Sequence, residues 1–255
     1  LASMPDLDAV AVCTPPQVRH QIAACALERG RHVLLEKPPG TTLGEVEALV
    51  KLADRQGVSL FASWHSREAA GVEPARRWLE GRRVLNATVT WKEDVRVWHP
   101  GQRWIWLSGG LGVFDPAINA LSIITRILTG PLLIREAEMD FPSNCDTPIA
   151  ARLVISNGCS TFVRMDLDFL QTGPQTWDID IETTDGRLLL SKGGAVLSVD
   201  GNTVVAGQDR EYPNLYARFE QLIRQRRIDV DVSPFRLVAD AFLCGRRVTV
   251  EPFVD

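Results

Sequence analysis

The sequence predicts an α/β protein: a parallel sheet built from βαβ units, followed by an α+β domain with a large, open, mostly antiparallel sheet. Two observations carry this. Up to about residue 66, short apolar runs alternate with segments of helical period, an order that right-handed crossovers turn into a parallel sheet. Beyond it the texture changes to alternating apolar and polar residues broken by Asn-Gly and Asp-Gly dipeptides. The composition agrees, since 255 residues at 45% hydrophobic and 24% charged can bury two modest cores and do not suit a disordered chain. The expected division is residues 1–66 and residues 67–255.

Taken in order, residues 8–13 (DAVAVC) are too short for a helix and end at Thr14-Pro15-Pro16, which predicts a buried strand. Val18, Ile22, Cys25 and Ala26 recur at helical spacing up to Gly30, a C-cap residue, and predict a helix with that apolar stripe. Residues 32–35 (HVLL) give the next strand. Thr42 and Glu45 have capping-box spacing, with Leu43, Val46, Leu49 and Val50 marking the helix face behind them. Residues 58–62 (VSLFA) complete a second unit. In the second region, residues 87–91, 150–155, 162–168 and 177–183 alternate as half-buried strands. Asn157-Gly158, Asp185-Gly186 and Asp200-Gly201 predict hairpin turns, because these residues accept positive φ at low cost. Two helices are expected there: one over about residues 114–128 with Phe114, Ile118, Leu121 and Leu128 on a stripe, and one presenting Tyr212, Leu215, Tyr216, Phe219, Leu222 and Ile223.

Several function classes fall away. No stretch approaches the roughly 20 apolar residues of a membrane span and the N-terminus lacks a signal-peptide pattern, so a cytoplasmic location is expected. The net charge is -4, and the compact basic run Arg224-Gln225-Arg226-Arg227 ends an amphipathic helix, where it complements the helix dipole; nucleic acid is not an expected partner. The five cysteines, Cys13, Cys25, Cys145, Cys159 and Cys244, are scattered and never form C-x-x-C, which argues against a disulfide framework or zinc site. They are expected to be buried thiols. His20 and His32 read as ordinary helix and strand-edge residues.

Glu36-Lys37-Pro38 sits at the carboxyl end of a predicted strand, where open α/β sheets bind ligands. Alone, the tripeptide is more often a strand-ending turn with an exposed lysine. Gly109-Gly110-Leu111-Gly112 leads into a helix on which Asp115 and Asn119 stand at i and i+4, so both project from one face. Asp115 also suits a helix cap, with Pro116 at the first helical position. Trp91, Trp98, Trp104 and Trp106 lie close together among Glu93, Asp94, His99 and Gln102, a pairing of rings with polar groups that matches the apolar faces and hydroxyls of a pyranose. About half of these tryptophans are expected in the core; Trp98, beside His99, is favoured for a pocket.

These motifs together resemble the glucose-fructose oxidoreductase and inositol dehydrogenase (Gfo/Idh/MocA) family, whose members pair a Rossmann domain with an antiparallel substrate domain. The stretch WKEDVRVWHPGQ from Trp91 to Gln102, then Trp104-Ile105-Trp106, Trp64-His65-Ser66 and Leu35-Glu36-Lys37-Pro38-Pro39, is similar to the family's bacterial aldose 1-dehydrogenases for L-arabinose and D-galactose, and the similarity runs over essentially the whole chain. The resemblance implies that Lys37 lies beside the substrate, often across a cis Lys-Pro bond. It implies that Thr14, Pro15 and Pro16 form a cofactor-contacting loop, joined by Glu36 and Lys37. Glu93, His99, His65, Trp98, Asp115 and Asn119 would then surround the sugar, with Trp177 closing it from the sheet. Where most of the family has a histidine this chain has Asn119, as the aldose subgroup does; an amide cannot take a proton at neutral pH.

The implied activity is oxidation of the anomeric C1 hydroxyl of an aldose to the aldonolactone, with hydride transfer to NAD or NADP and no metal. Asp115 is the first candidate base, Asn119 orients the hydroxyl, and Lys37 supplies positive charge to the developing alkoxide. Lys37 is the rival base; burial would have to neutralise it, whereas Glu36, Glu93 or Asp115 nearby would favour its cation. A dehydrogenase of inositol or another polyol stays open, but predicts histidine at Asn119; a non-catalytic dinucleotide or sugar sensor also stays open, and Lys37, Asp115 and Glu93 together count against it. The chain is expected to begin near a fourth Rossmann strand, lacking the first strands and the G-x-G-x-x-G loop. On that reading the 255 residues bind cofactor poorly by themselves, could be inactive and leave a strand edge open near residues 9–12. The family also implies a homodimer through the open sheet.

Overall fold

The structure, a computed structural model, describes residue 4, residues 6–158 and residues 162–254. The first region folds as β1 (Ala9–Val12), α1 (Pro16–Glu28), β2 (His32–Leu35), α2 (Leu43–Gln56) and β3 (Leu60–Ala62). The three strands form a parallel sheet in the order β1-β2-β3, so β1 is an edge. Thr42 Oγ1 accepts the Glu45 N–H at 3.2 Å, as a capping box requires. The reciprocal bond is shifted by one residue, Glu45 Oε2 accepting from the Thr41 N–H at 2.8 Å.

The expected stripe of α1 is corrected. Val18 is 45% exposed, while Arg19, Ala23, Ala26 and Leu27 are buried. The alanines let the helix backbone approach Val12, Val33 and Leu35 closely, and that favours a small-residue face over the bulkier Val18 stripe.

The second region contributes α3 (Val72–Leu79), β4 (Val84–Lys92), α4 (Val95–Trp98), α5 (Phe114–Ile127), β5 (Leu133–Pro142), β6 (Ala150–Ser156), β7 (Phe162–Asp168), β8 (Thr176–Thr183), β9 (Gly186–Ser191), β10 (Val196–Val199), β11 (Asn202–Ala206), α6 (Glu211–Gln225), α7 (Ser233–Cys244) and β12 (Arg246–Val250). Its nine strands lie in the order β11-β10-β9-β8-β4-β7-β6-β5-β12, antiparallel except at β4–β7 and β5–β12. Along β7, Val163, Met165 and Leu167 are buried and Arg164 and Asp166 exposed, the alternation of a sheet with one face covered. Asp200 and Gly201 both take positive φ between β10 and β11, as the hairpin signal predicts. Gly186 likewise turns β8 into β9, while the Asn157-Gly158 turn runs on into residues outside those described.

Helix α5 is buried on nearly every side, a wider burial than the predicted stripe, because α3 and α7 flank it and β4 lies beneath. Helix α6 returns the chain to the first sheet, packing Leu215, Phe219 and Leu222 on Leu34 and Phe61. Each of these side chains contributes about 1.5–3 kcal/mol of burial. Behind it, the Asp229 N–H donates to the Leu60 carbonyl and the Ala62 N–H to the Asp229 carbonyl, so residue 229 extends the edge of the parallel sheet. The expectation of buried thiols is also corrected: Cys13 and Cys244 are exposed, Cys25 and Cys145 half-buried, all free, and Cys159 lies outside the described residues. Among the described residues no helix is long and apolar enough to cross a membrane.

Candidate active site

Parallel neighbours end on the same side of a sheet, so the residues following β1 and β2 emerge together. Thr14 and Pro15 follow the first strand; Glu36 and Lys37 follow the second, with a cis Lys37–Pro38 peptide. Lys37 Nζ donates to Asp115 Oδ2 at 3.0 Å and to the Asp115 carbonyl at 2.9 Å. This pair is largely withdrawn from water, at 16% and 4% side-chain exposure. Helix α5 begins at Phe114 behind Val113, with no side-chain cap, which corrects the capping alternative: Asp115 spends its side chain on Lys37. Its place in the first turn puts the carboxylate at the positive end of the helix dipole.

The glycine turn before α5 is required by space. A Cβ on Gly110 would lie 2.5 Å from the Trp104 carbonyl oxygen, and Gly112, at φ +54°, would place one 2.2 Å from the Pro148 carbonyl. Only glycine lets this loop pass so close and deliver Asp115 to Lys37.

A second cluster rises from the end of β4. Glu93 is buried, and its two oxygens accept from His99 Nε2 at 3.0 Å and Trp177 Nε1 at 2.8 Å. Trp98 is 43% exposed and rests against Trp177 with ring centroids 4.7 Å apart; Trp177 in turn stacks on the buried Trp91 at 5.9 Å. A cleft of about 320 Å³ joins the two clusters. It brings together Thr14, Pro15, Glu36, Lys37, Trp98, His99 and Asp115 of the expected residues and adds Cys13, Arg19, Gln102 and Trp104.

The remaining expected residues lie around this cleft without lining it. Glu93 and Trp177 stand behind His99 and Trp98 as their supports. Pro16 is the buried first residue of α1, its carbonyl accepting from Thr41 Oγ1 at 2.9 Å. Asn119 is half-buried one turn beyond Asp115. His65 is occupied elsewhere: it meets Glu211 Oε2 at 2.5 Å and stacks on Tyr212 at 5.5 Å. Tyr212 donates to Glu36 Oε1 at 3.0 Å, and burial together with the Glu36 carboxylate pushes its hydroxyl well above the ordinary tyrosine range, which keeps it a donor. Burial, then the same carboxylate, also raises the Cys13 thiol.

Arg19 is absent from the expected set, and Gln102 enters it only as a polar neighbour of the tryptophans. Arg19 shares the buried face of α1 with Ala23 and Ala26 at i+4 and i+7, so a reading of that face rather than the Val18 stripe exposes the anomaly of an arginine among alanines.

Three buried polar atoms of residues lining the cleft have no partner in the protein, Thr14 Oγ1, Arg19 Nε and Asp115 Oδ1. Buried acceptors and donors are ordinarily satisfied, so these atoms leave hydrogen-bonding capacity open on the cleft. A hydroxyl at the carboxyl end of a parallel strand suits a dinucleotide, and a carboxylate oxygen suits a substrate hydroxyl. Among the described residues no cluster of three His, Cys, Asp or Glu side chains is placed to hold a metal.

Known proteins share this fold. Residues 1–63 match the family model described as an oxidoreductase family with an NAD-binding Rossmann fold. The chain is 46% identical over 255 residues to a galactose 1-dehydrogenase of Pseudomonas fluorescens, an alignment spanning 100% of this chain and 83% of that protein. The structure matches the crystal structure of a D-galactose-1-dehydrogenase from Rhizobium etli with a TM-score of 0.95 and 52% identity, over 99% of this chain and 81% of that one. The WlbA dehydrogenase of Bordetella pertussis, crystallised with NADH and UDP-GlcNAcA, shares the fold at a TM-score of 0.81 and 18% identity, over 95% of this chain and 78% of that one. With its paired parallel strand ends, its Lys37–Asp115 contact and a full-length relative at this identity, the chain belongs to the Gfo/Idh/MocA family of oxidoreductases, enzymes that use NAD or NADP.

Proposed function

We propose that the protein is an NAD(P)-dependent aldose 1-dehydrogenase, oxidising the anomeric C1 hydroxyl of D-galactose or L-arabinose to the aldonolactone. The observation that carries this is the buried Lys37–Asp115 pair with Asp115 Oδ1 left unpartnered, on a cleft walled by Trp98 and His99. The names of the two similar dehydrogenases support galactose as the sugar.

In this reading Asp115 Oδ1 accepts the C1 hydroxyl proton. Lys37 donates both its hydrogen bonds to Asp115, so it acts as a fixed cation that orients the carboxylate and stabilises negative charge developing on the C1 oxygen. Lys37 is therefore the electrostatic partner and Asp115 the base. Asn119, one turn along α5, is assigned to orienting the hydroxyl. Trp98 offers a ring face to the sugar, and His99, held by Glu93, offers a polar edge. NAD or NADP, when bound, would supply the hydride acceptor. Thr14, Pro15 and Glu36 hold its side of the cleft.

Residues 1–66 are assigned to the cofactor and residues 67–255 to the sugar, with α6 packed back on the first sheet. A cytoplasmic homodimer joined through the outer face of the nine-stranded sheet completes the proposal; that face carries paired charges such as Arg152 with Glu138 and Asp140. The test is reduced-nicotinamide absorbance with NAD and NADP against D-galactose, L-arabinose, D-glucose and myo-inositol. Galactose and arabinose share ring stereochemistry apart from the C5 substituent, so turnover of both is expected. Turnover of inositol alone would make the enzyme a polyol dehydrogenase, and dinucleotide binding without turnover would make it a sensor.

A further inference from the structure

We propose that Arg19 is a positioning residue for this reaction: its guanidinium fixes the backbone on both sides of Lys37 and so sets where the ammonium meets Asp115. Arg19 is 3% exposed, and an arginine is almost never so buried without a carboxylate partner. Its hydrogen bonds go instead to three carbonyls. Nη1 donates to Glu36 at 2.6 Å and to Pro38, the two residues flanking Lys37, and Nη2 donates to Thr14. One planar fork thus ties the end of β1 to the end of β2, the two loops that form the cofactor side of the cleft.

Such burial is expensive for a cation. Burial presses the guanidinium toward neutrality, and the Glu36 and then the Asp115 carboxylates work against that, which places Arg19 within electrostatic reach of the reacting pair. An apolar side chain beside Ala23 and Ala26 would pack α1 at lower cost, so the charge is explained by what it holds and not by the helix. The inference rests on the assignment of Lys37 and Asp115 as the reacting pair.

The experiment compares Arg19→Ala, Arg19→Lys and Lys37→Ala with the unaltered enzyme, measuring kcat, KM for galactose and circular dichroism. Arg19→Ala is expected to lower kcat about 100-fold, the scale of a small misplacement of a catalytic group, with little change in KM. Millimolar guanidinium, but not ammonium, restores much of the loss by refilling the cavity. Arg19→Lys stays impaired, because one ammonium cannot span three carbonyls. Unchanged kcat in Arg19→Ala, full activity in Arg19→Lys, or a loss that guanidinium leaves untouched would each overturn the proposal, as would two unfolded variants, which would confine Arg19 to the fold. Loss in Lys37→Ala with none in Arg19→Ala sinks only this inference, whereas full activity in Lys37→Ala removes the reading beneath it as well.

Discussion

Lys37 Nζ lies 3.0 Å from Asp115 Oδ2 although the two residues are 78 positions apart, one after a strand of the parallel sheet and the other in the first turn of a helix packed on the large sheet. The contact therefore exists only when the two regions are docked. Removal of either group should cut kcat/KM about 1,000-fold, as loss of a general base or of its electrostatic partner does. Lys37→Met should also lower stability by about 3–5 kcal/mol by stranding a buried carboxylate. Adding Asp115→Leu should recover the denaturation midpoint without the activity; recovery of neither would place the pair's importance in packing.

Glu93 holds His99 and Trp177 through its two carboxylate oxygens. Glu93→Ala leaves the Trp177 and His99 donors without their acceptor, at about 1–3 kcal/mol each, and frees both rings. A lower Tm and a raised KM for the sugar are expected, with Glu93→Gln milder because its amide oxygen keeps one of the two bonds. Equal behaviour of the two variants would show that the hydrogen bonds do not hold the wall.

The neighbouring tryptophans should separate by role. Trp91 is 3% exposed and Trp98 43%. Trp91→Ala should cost about 3–5 kcal/mol of stability. Trp98→Ala should leave Tm nearly unchanged and raise the sugar KM, a contrast that thermal melts and steady-state kinetics measure together.

Gly112→Ala forces a Cβ to within 2.2 Å of the Pro148 carbonyl at a positive φ. Since the obstacle is backbone, relief requires the turn before α5 to move. A stability loss above about 2 kcal/mol is expected from urea midpoints, with kcat falling as Asp115 shifts.

His32 gives the fold a pH dependence. Burial, then the Arg226 charge, lowers its folded pKa against the opposing pull of Asp8, and its Nδ1 accepts the Ser59 N–H at 2.8 Å as a neutral ring does. The unfolded chain takes up the proton first, near about pH 6.5, so stability falls as the pH drops from there through the folded value and is retained above it. His32→Asn, which keeps an acceptor without titrating, should flatten urea midpoints between about pH 7 and pH 5. An unchanged slope would assign the effect to other groups.

The sequence by itself determined the βαβ start, the alternating strands such as Phe162–Asp168 and the identity of the Lys37 and Asp115 motifs, because periodicity, turn chemistry and short motifs are local properties. Strands β5 and β12 and helices α3 and α7 carry weaker local patterns and lie outside the expected elements, and β9–β11 are signalled only by the Asp-Gly turns beside them; the places of the first group are fixed by partners far along the chain, as β12 is by β5. Tertiary structure alone decided which face of α1 is buried, and hence that Arg19 reaches three carbonyls around Lys37. It also decided that Glu93 supports His99 and Trp177 from behind while His65 turns to Glu211 and Tyr212. The physical reason is common to both: a side chain's hydrogen-bond partners are chosen by which elements dock beside it, and docking is set by the summed packing of a whole core, which no single segment encodes.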